Sequence, residues 1–175
     1  MKNLTVIAMC LIFTGPALAE SVSEKTGLNS LVGASPNTQD FVAEAAISDM
    51  FEIQSSKLAQ EKKDTKVNDF ANKMIADHTT SSDAIKSLIQ SGKARADIPG
   101  SLDSKRQSML DKLKGLTGDD FEKQYRADQI SGHKDTVDLY RRYAKGGDNA
   151  DLRTFAEKTL PIVEHHQKMA EDLAK

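Results

Sequence analysis

Three of the four histidines in this chain, His78, His133 and His166, fall on apolar stripes of segments with helical periodicity, one per segment. A fourth periodic segment carries Glu52 on its own stripe. A carboxylate is costly to bury unless it is paired or bound to a cation, and neutral imidazole is the commonest protein ligand for zinc, copper and iron. One Glu and three His projecting inward from different helices would therefore suit a transition-metal ion, in the manner of sites hosted inside helix bundles. Asp77, next to His78, and His165, one step round from His166, are candidates to orient a ligand imidazole. The same residues also fit a plainer arrangement, in which Glu52 pairs with one His in a polar layer that sets helix register without a metal.

Spacing along the helices tests whether these groups can meet. Glu52 lies 12 residues before a turn near residue 64 and His78 lies 14 after it, so both sit ~18–21 Å from the same end at ~1.5 Å per residue. From a turn at residue 147, His133 is 14 residues away and His166 is 19, or ~21 and ~28 Å. Three groups fall near mid-height, and His166 is expected about one turn off.

Four long helices are needed to place them. The first is expected over Asn37–Glu61, with Ser35-Pro36 at its start and Phe41, Ala45, Ser48, Glu52, Ser55 and Ala59 on one face. The second begins near Asp64-Thr65 and carries Val67, Phe70, Met74, His78, Ile85 and Leu88, stopping near Ser91-Gly92. The third starts at Thr117 in a capping-box-like setting and carries Phe121, Ile130, His133, Val137, Tyr140 and Ala144 up to Gly146-Gly147. The fourth opens at Asp148 or Asn149, with Leu152, Phe155, Val163, His166 and Ala170 on its stripe and Pro161 inside, where a kink is expected. Between the second and third, a short helix capped by Ser101 or Ser104 runs to Gly115. Short connections make each pair an antiparallel hairpin. The fold class is all-α: a four-helix bundle of two antiparallel hairpins joined by a long connection that contains a short helix.

The first nineteen residues read as an address. Met1-Lys2, the apolar run Leu4–Phe13, Gly15-Pro16 and Ala17-Leu18-Ala19 are the parts of a secretory signal peptide in order. Residues 1–19 are thus expected to be cleaved, 20–36 to be a flexible linker, and 37–175 to be the bundle domain. Export to a periplasm follows. Cleavage would remove Lys2 and Cys10, so the 24 Lys+Arg less one, against 26 Asp+Glu, leave a net charge of −3. A Cys-free exported chain has no disulfide, thiol nucleophile, zinc–thiolate site or C-x-x-C-H haem attachment. The near-neutral charge gives no footprint for nucleic acid, and 38% hydrophobic residues are too few for a polytopic membrane protein. No membrane span is expected after cleavage. No phosphate loop or nucleophile elbow is present in the sequence.

From Ser35 to Leu173 the chain resembles a bacterial family of exported proteins, domain of unknown function 4142, which is classed as ferritin-like. The resemblance rests on Phe41-Val-Ala-Glu-Ala-Ala, Met50-Phe-Glu-Ile with Glu52, and Lys57-Leu-Ala. It continues through Phe70-Ala-x-x-Met74-x-x-Asp77-His78, Tyr125 with His133, Thr159-Leu-Pro161, and His166-x-x-Met169-Ala. It implies a ferritin-like four-helix bundle of unestablished function. Ferritin-like di-iron proteins place Glu-x-x-His on two helices. Here Ile75 precedes His78 by three and Val163 precedes His166 by three, so di-iron oxidase activity is not implied. The sequence supports a non-enzymatic, exported bundle with a stress- or envelope-related role. Its alternative is a metal-binding ferritin-like protein with a transition-metal ion on Glu52, His78, His133 and His166.

Overall fold

The structure, a computed structural model, describes residues 21–63 and 66–173. The expected signal peptide, with Lys2, Cys10 and the cleavage point after Ala19, lies outside the described residues, as does the expected helix start at Asp64-Thr65. Seven helices are present among the described residues, and no strand: α1 (Val22–Lys25), α2 (Leu28–Val32), α3 (Thr38–Glu61), α4 (Asn68–Gln90), α5 (Ser104–Gly115), α6 (Gly118–Gly146) and α7 (Ala150–Leu173). No helix among them is long and apolar enough to cross a membrane.

The long helices begin and end where local chemistry tells them to. Asn37, one residue past the expected Ser35-Pro36, caps α3 by accepting the amide of Asp40 at 2.9 Å. Asn149 does the same for α7 through the amide of Leu152. Thr117 makes no side-chain cap on α6, so the expected capping box is absent. Gly92 ends α4 in the left-handed region (φ 73°), and its amide and that of Lys93 close on the carbonyls of Ile89 and Leu88. Helix α7 continues through Pro161. The ring removes one amide, so the carbonyl of Glu157 has no helical donor.

Side-chain pairs fix the helix directions. Gln60–Asn72 and Asp49–His78 make α3 and α4 antiparallel. Thr38–Tyr143, Ser48–Thr136 and Ser56–Tyr125 do so for α3 and α6. The three residues between α6 and α7 force a second hairpin, and α7 packs back on α4. Thus α3 and α7 run one way while α4 and α6 run the other, and the long connection with α5 makes the crossing. Helix α3 packs against α4, α5 and α6, which explains why Val42, Ala43, Ala46, Ile47 and Asp49 are buried beside its expected stripe.

The apolar core is divided in two. Phe41, Ile85, Val137, Tyr140, Tyr143 and Leu152 belong to one cluster. Phe51, Phe70, Met74, Leu113, Phe121 and Tyr125 belong to the other. Ser48, Glu52, Ser55, His78, Gln129, His133 and His166 are buried polar residues at intermediate helix positions.

Residues 22–32, read from sequence as linker, form the two short helices α1 and α2. They are tied to α6 by one buried ion pair: Arg142 donates to both carboxylate oxygens of Glu24, at 2.6 and 3.1 Å, and to the carbonyl of Ala34. A single long-range pair leaves no periodic trace in the sequence.

Helix α5 is fastened in a comparable way. Asp103, instead of Ser101 or Ser104, caps it by accepting the amide of Arg106 at 2.7 Å, and its second oxygen accepts from the guanidinium at 2.6 Å. Arg106 also donates to Glu44 on α3 at 2.8 Å. Burial alone would raise the Asp103 pKa, but the Arg106 backbone and side-chain hydrogen bonds hold it below the ordinary value. Its contribution to stability is therefore present above the unfolded pKa and is lost as pH falls through the folded one. Asp103→Ala should cost about 1 kcal/mol in urea unfolding at pH 7. The gap to wild type should shrink as pH drops below about 4.

Candidate metal centre

His78 on α4, His133 on α6 and His166 on α7 meet at one point. Their ring centroids are 5.6, 5.4 and 5.5 Å apart in pairs, and each ring offers a nitrogen within 4.8 Å of one from both others. All three rings are 0–2% exposed. The turn positions explain why His166 is in register despite its expected offset. His133 stands 13 residues before Gly146 at the end of α6, and His166 stands 16 after Ala150 at the start of α7. The mismatch is three residues, or ~4.5 Å, which side-chain reach absorbs.

Each ring uses one nitrogen to fix its orientation. His78 Nδ1 lies 2.8 Å from Asp49 Oδ1, and Ser82 donates to the other Asp49 oxygen at 3.2 Å. His133 Nδ1 lies 2.8 Å from the carbonyl of Gln129. His166 Nε2 lies 2.8 Å from Asp77 Oδ2, which also pairs with Lys73 at 2.9 Å. A carbonyl or carboxylate only accepts, so in the neutral ring each of these nitrogens carries the proton. The opposite nitrogens, His78 Nε2, His133 Nε2 and His166 Nδ1, are then bare lone pairs. All three are buried without a hydrogen-bond partner.

Burial also sets the charge state. It drives His133 down to about 3, with the charge of His78 adding to the effect and the Gln129 carbonyl opposing it. It drives His166 down to about 4 against the opposing hydrogen bond of Asp77. For His78, burial works downward too, but the Asp49 hydrogen bond and charge, with Glu52 and Asp77, leave it above its ordinary value. Glu52 is pushed up to about 7 by burial, against the pull of His78, Gln129 and Arg106.

The structure places the expected residues unequally. Glu52 is buried beside the cluster, with Oε1 4.0 Å from His133 Nδ1 and Oε2 unpartnered. It contacts the protonated side of that ring and stands outside the three-residue group. Asp77 orients an imidazole, that of His166 on another helix instead of its neighbour His78. His165 is on the exposed face of α7, away from the layer. Asp49 and the Gln129 carbonyl were not foreseen. Asp49 sits three residues before Glu52 on α3, and only the burial of a second α3 face reveals it.

Gly132 completes the layer. A Cβ there would lie 3.0 Å from Glu52 Oε1. Glycine inside a helix costs about 0.5–1 kcal/mol relative to alanine, so its presence in α6 reflects the room that the carboxylate needs.

A fold that is all-helical among the described residues, with a buried three-histidine cluster, is the class that these observations define. The chain belongs to the family described as domain of unknown function (DUF4142), whose model matches residues 24–173. The matched span takes in all of α2 to α7. Comparison with curated proteins finds no match, and neither does comparison with solved structures.

The role of Gly132 is open to a double-mutant cycle. Gly132→Ala alone should give no gain in stability. In a Glu52→Ala background the same change should stabilise by about 1 kcal/mol, read by denaturant unfolding. Equal effects in both backgrounds would show that the carboxylate does not set this position.

Proposed function

We propose that this protein is an exported, ferritin-like four-helix bundle that holds one transition-metal ion on His78 Nε2, His133 Nε2 and His166 Nδ1. The observation that carries the reading is the convergence of three buried histidines, each of which keeps one ring nitrogen without a hydrogen-bond partner. Leaving a buried polar atom unsatisfied costs about 1–3 kcal/mol, and a cation is a partner that three lone pairs can share. A polar layer that merely set register would spend these nitrogens on hydrogen bonds within the layer.

The groups that hold the far side of each ring support the same reading. Metal-bound imidazoles generally donate their other N–H to a carboxylate or carbonyl. Here two carboxylates and one carbonyl take those places. Three neutral nitrogen donors suit zinc, copper, cobalt or iron better than magnesium or calcium, which prefer oxygen. Glu52, whose carboxyl pKa burial pushes up to about 7, would be drawn to its charged form by a cation close by. Four long helices with antiparallel neighbours support the bundle, and the signal-like residues 1–19 support export to a periplasm. The role is to hold a metal in the cell envelope, with no enzymatic step assigned; the carboxylate pattern of di-iron oxidases is missing from the sequence.

Metal-depleted protein dialysed against Zn²⁺ or Co²⁺ should take up one equivalent, and His78→Ala and His133→Ala should each lose it. Metal content unchanged in both variants would overturn the reading. Asp77→Ala should retain binding with about 10–100-fold lower affinity. At a free metal concentration of about 100 Kd, wild type should gain about 2.7 kcal/mol of unfolding free energy, a gain absent from the histidine variants.

A further inference from the structure

Five large apolar side chains are exposed among the described residues, and four of them lie within the eleven residues 22–32. They are Val22 on α1 and Leu28, Leu31 and Val32 on α2, 52–84% exposed. Positions i, i+3 and i+4 put the last three on one face of α2. Gly27 and Gly33, left-handed at φ 75° and 67°, bound that helix at either end. Its polar side holds the bundle: Asn29 donates to Glu24 Oε2 at 2.9 Å, and Arg142 grips the same carboxylate. Ser21 donates its amide and its hydroxyl to the buried Asp40, at 2.6 and 2.5 Å. The segment is tied down by polar pairs, and its apolar side chains are left in solvent.

We propose that this apolar face docks on the lipid bilayer and holds the exported protein reversibly on a surface of zwitterionic lipid. The inference rests on the export reading above and is independent of the metal. The course of the chain outside the structure is the first argument. The apolar run Leu4–Phe13 ends nine residues before Val22, a reach of at most about 30 Å. A signal of this kind is held in the membrane while the chain is passed across it, so α1 and α2 emerge at the lipid surface. Size is the second argument. A stable contact with a second copy takes about 20–30 residues a side, and this face has four apolar side chains. Lipid asks for less, because the apolar face of an interfacial helix sinks only about 5–10 Å into the headgroup boundary.

Charge selects the kind of lipid. Leu31 borders a cavity of about 520 Å³ whose lining carries both signs, Lys105, Arg106 and Arg142 with Asp135 and Asp138 among them. Both arginines are committed to carboxylates of the protein. Lys105 and Asp135, paired at 3.5 Å, are each more than half exposed. An exposed pair of this kind contributes little, so it can exchange for the phosphate and ammonium of a zwitterionic headgroup. Anionic lipid fits worse. It attracts clusters of Lys and Arg, whereas Lys25 is the one basic residue between Glu20 and Asp40 and the cleaved chain has a net charge of −3.

Co-sedimentation of the exported protein, its first residue confirmed as Glu20 by mass, with vesicles of phosphatidylcholine and phosphatidylethanolamine tests the proposal. Partition that survives high salt is expected. Leu28→Ser/Leu31→Ser/Val32→Ser alters exposed side chains only and should lower the partition coefficient at least about tenfold with helical content unchanged. Should helical content fall, Leu31→Ser alone should still lower it about threefold. Absence of partition, or equal partition by wild type and a folded variant, would refute the inference and leave export standing. Binding confined to phosphatidylglycerol vesicles and lost in high salt would also refute it. A dimer that the triple variant dissolves, with no vesicle binding, would assign the face to a second copy instead. Protein retained inside the cell with residues 1–19 attached would overturn the export reading and this inference together.

Discussion

Three imidazoles buried at one point, each with one ring nitrogen that has no hydrogen-bond partner, are the constraint around which this fold is arranged. Each leaves a penalty of roughly 1–3 kcal/mol, in a protein class whose whole stability is about 5–15 kcal/mol. The rings could escape that penalty by turning their lone pairs towards neighbouring donors. They are prevented from doing so because Asp49, Asp77 and the Gln129 carbonyl each hold the opposite nitrogen at 2.8 Å. The layer therefore holds three rings in fixed orientations around one point.

The helices make that assembly rigid. Each imidazole comes from a different helix, and two aromatic-rich clusters contribute packing that a shift in any one helix would disturb. Stacked Phe41–Tyr143 and Phe121–Tyr125 pairs belong to the two clusters respectively. Helix α3 contributes no histidine, yet it supplies Asp49 behind one ring and Glu52 beside another. Its burial on three sides, against α4, α5 and α6, takes both acidic side chains out of water, and the imidazoles that engage Asp49 and stand beside Glu52 offset part of that cost. The Asp103–Arg106–Glu44 chain holds α5 over that helix.

How much of this could be read in advance depended on range. The stripe Phe41, Ala45, Ser48, Glu52, Ser55 and Ala59 is buried as periodicity expects, because the 3.6-residue repeat is a local property. The three inner histidines were visible for the same reason: a titratable residue interrupting an apolar stripe is conspicuous. Asp49 was hidden, because burial of a second face depends on where α4 and α5 pack. The pairing of Asp77 with His166 joins residues 89 apart, and chain adjacency pointed to His78 instead. Axial counting put His166 a turn too far because it assumed a turn at one residue where three are used. Helices α1 and α2 had no period to announce them, and their anchor is a Glu24–Arg142 pair across 118 residues.

The charge balance of the layer links its cost to its chemistry. In a low-dielectric interior each group is driven towards its neutral form. Glu52 accordingly holds its proton up to about 7, while His133 and His166 stay unprotonated down to about 3 and 4. His78 departs from this pattern because Asp49 lies against it. For an imidazole, neutrality is also the state that has a lone pair to give. The burial that makes these nitrogens expensive thus keeps most of them in the form a cation requires, and the ordering hydrogen bonds decide which nitrogen of each ring remains bare. Moving any of the three rings to the surface would relieve the penalty and, in the same step, dissolve the geometry.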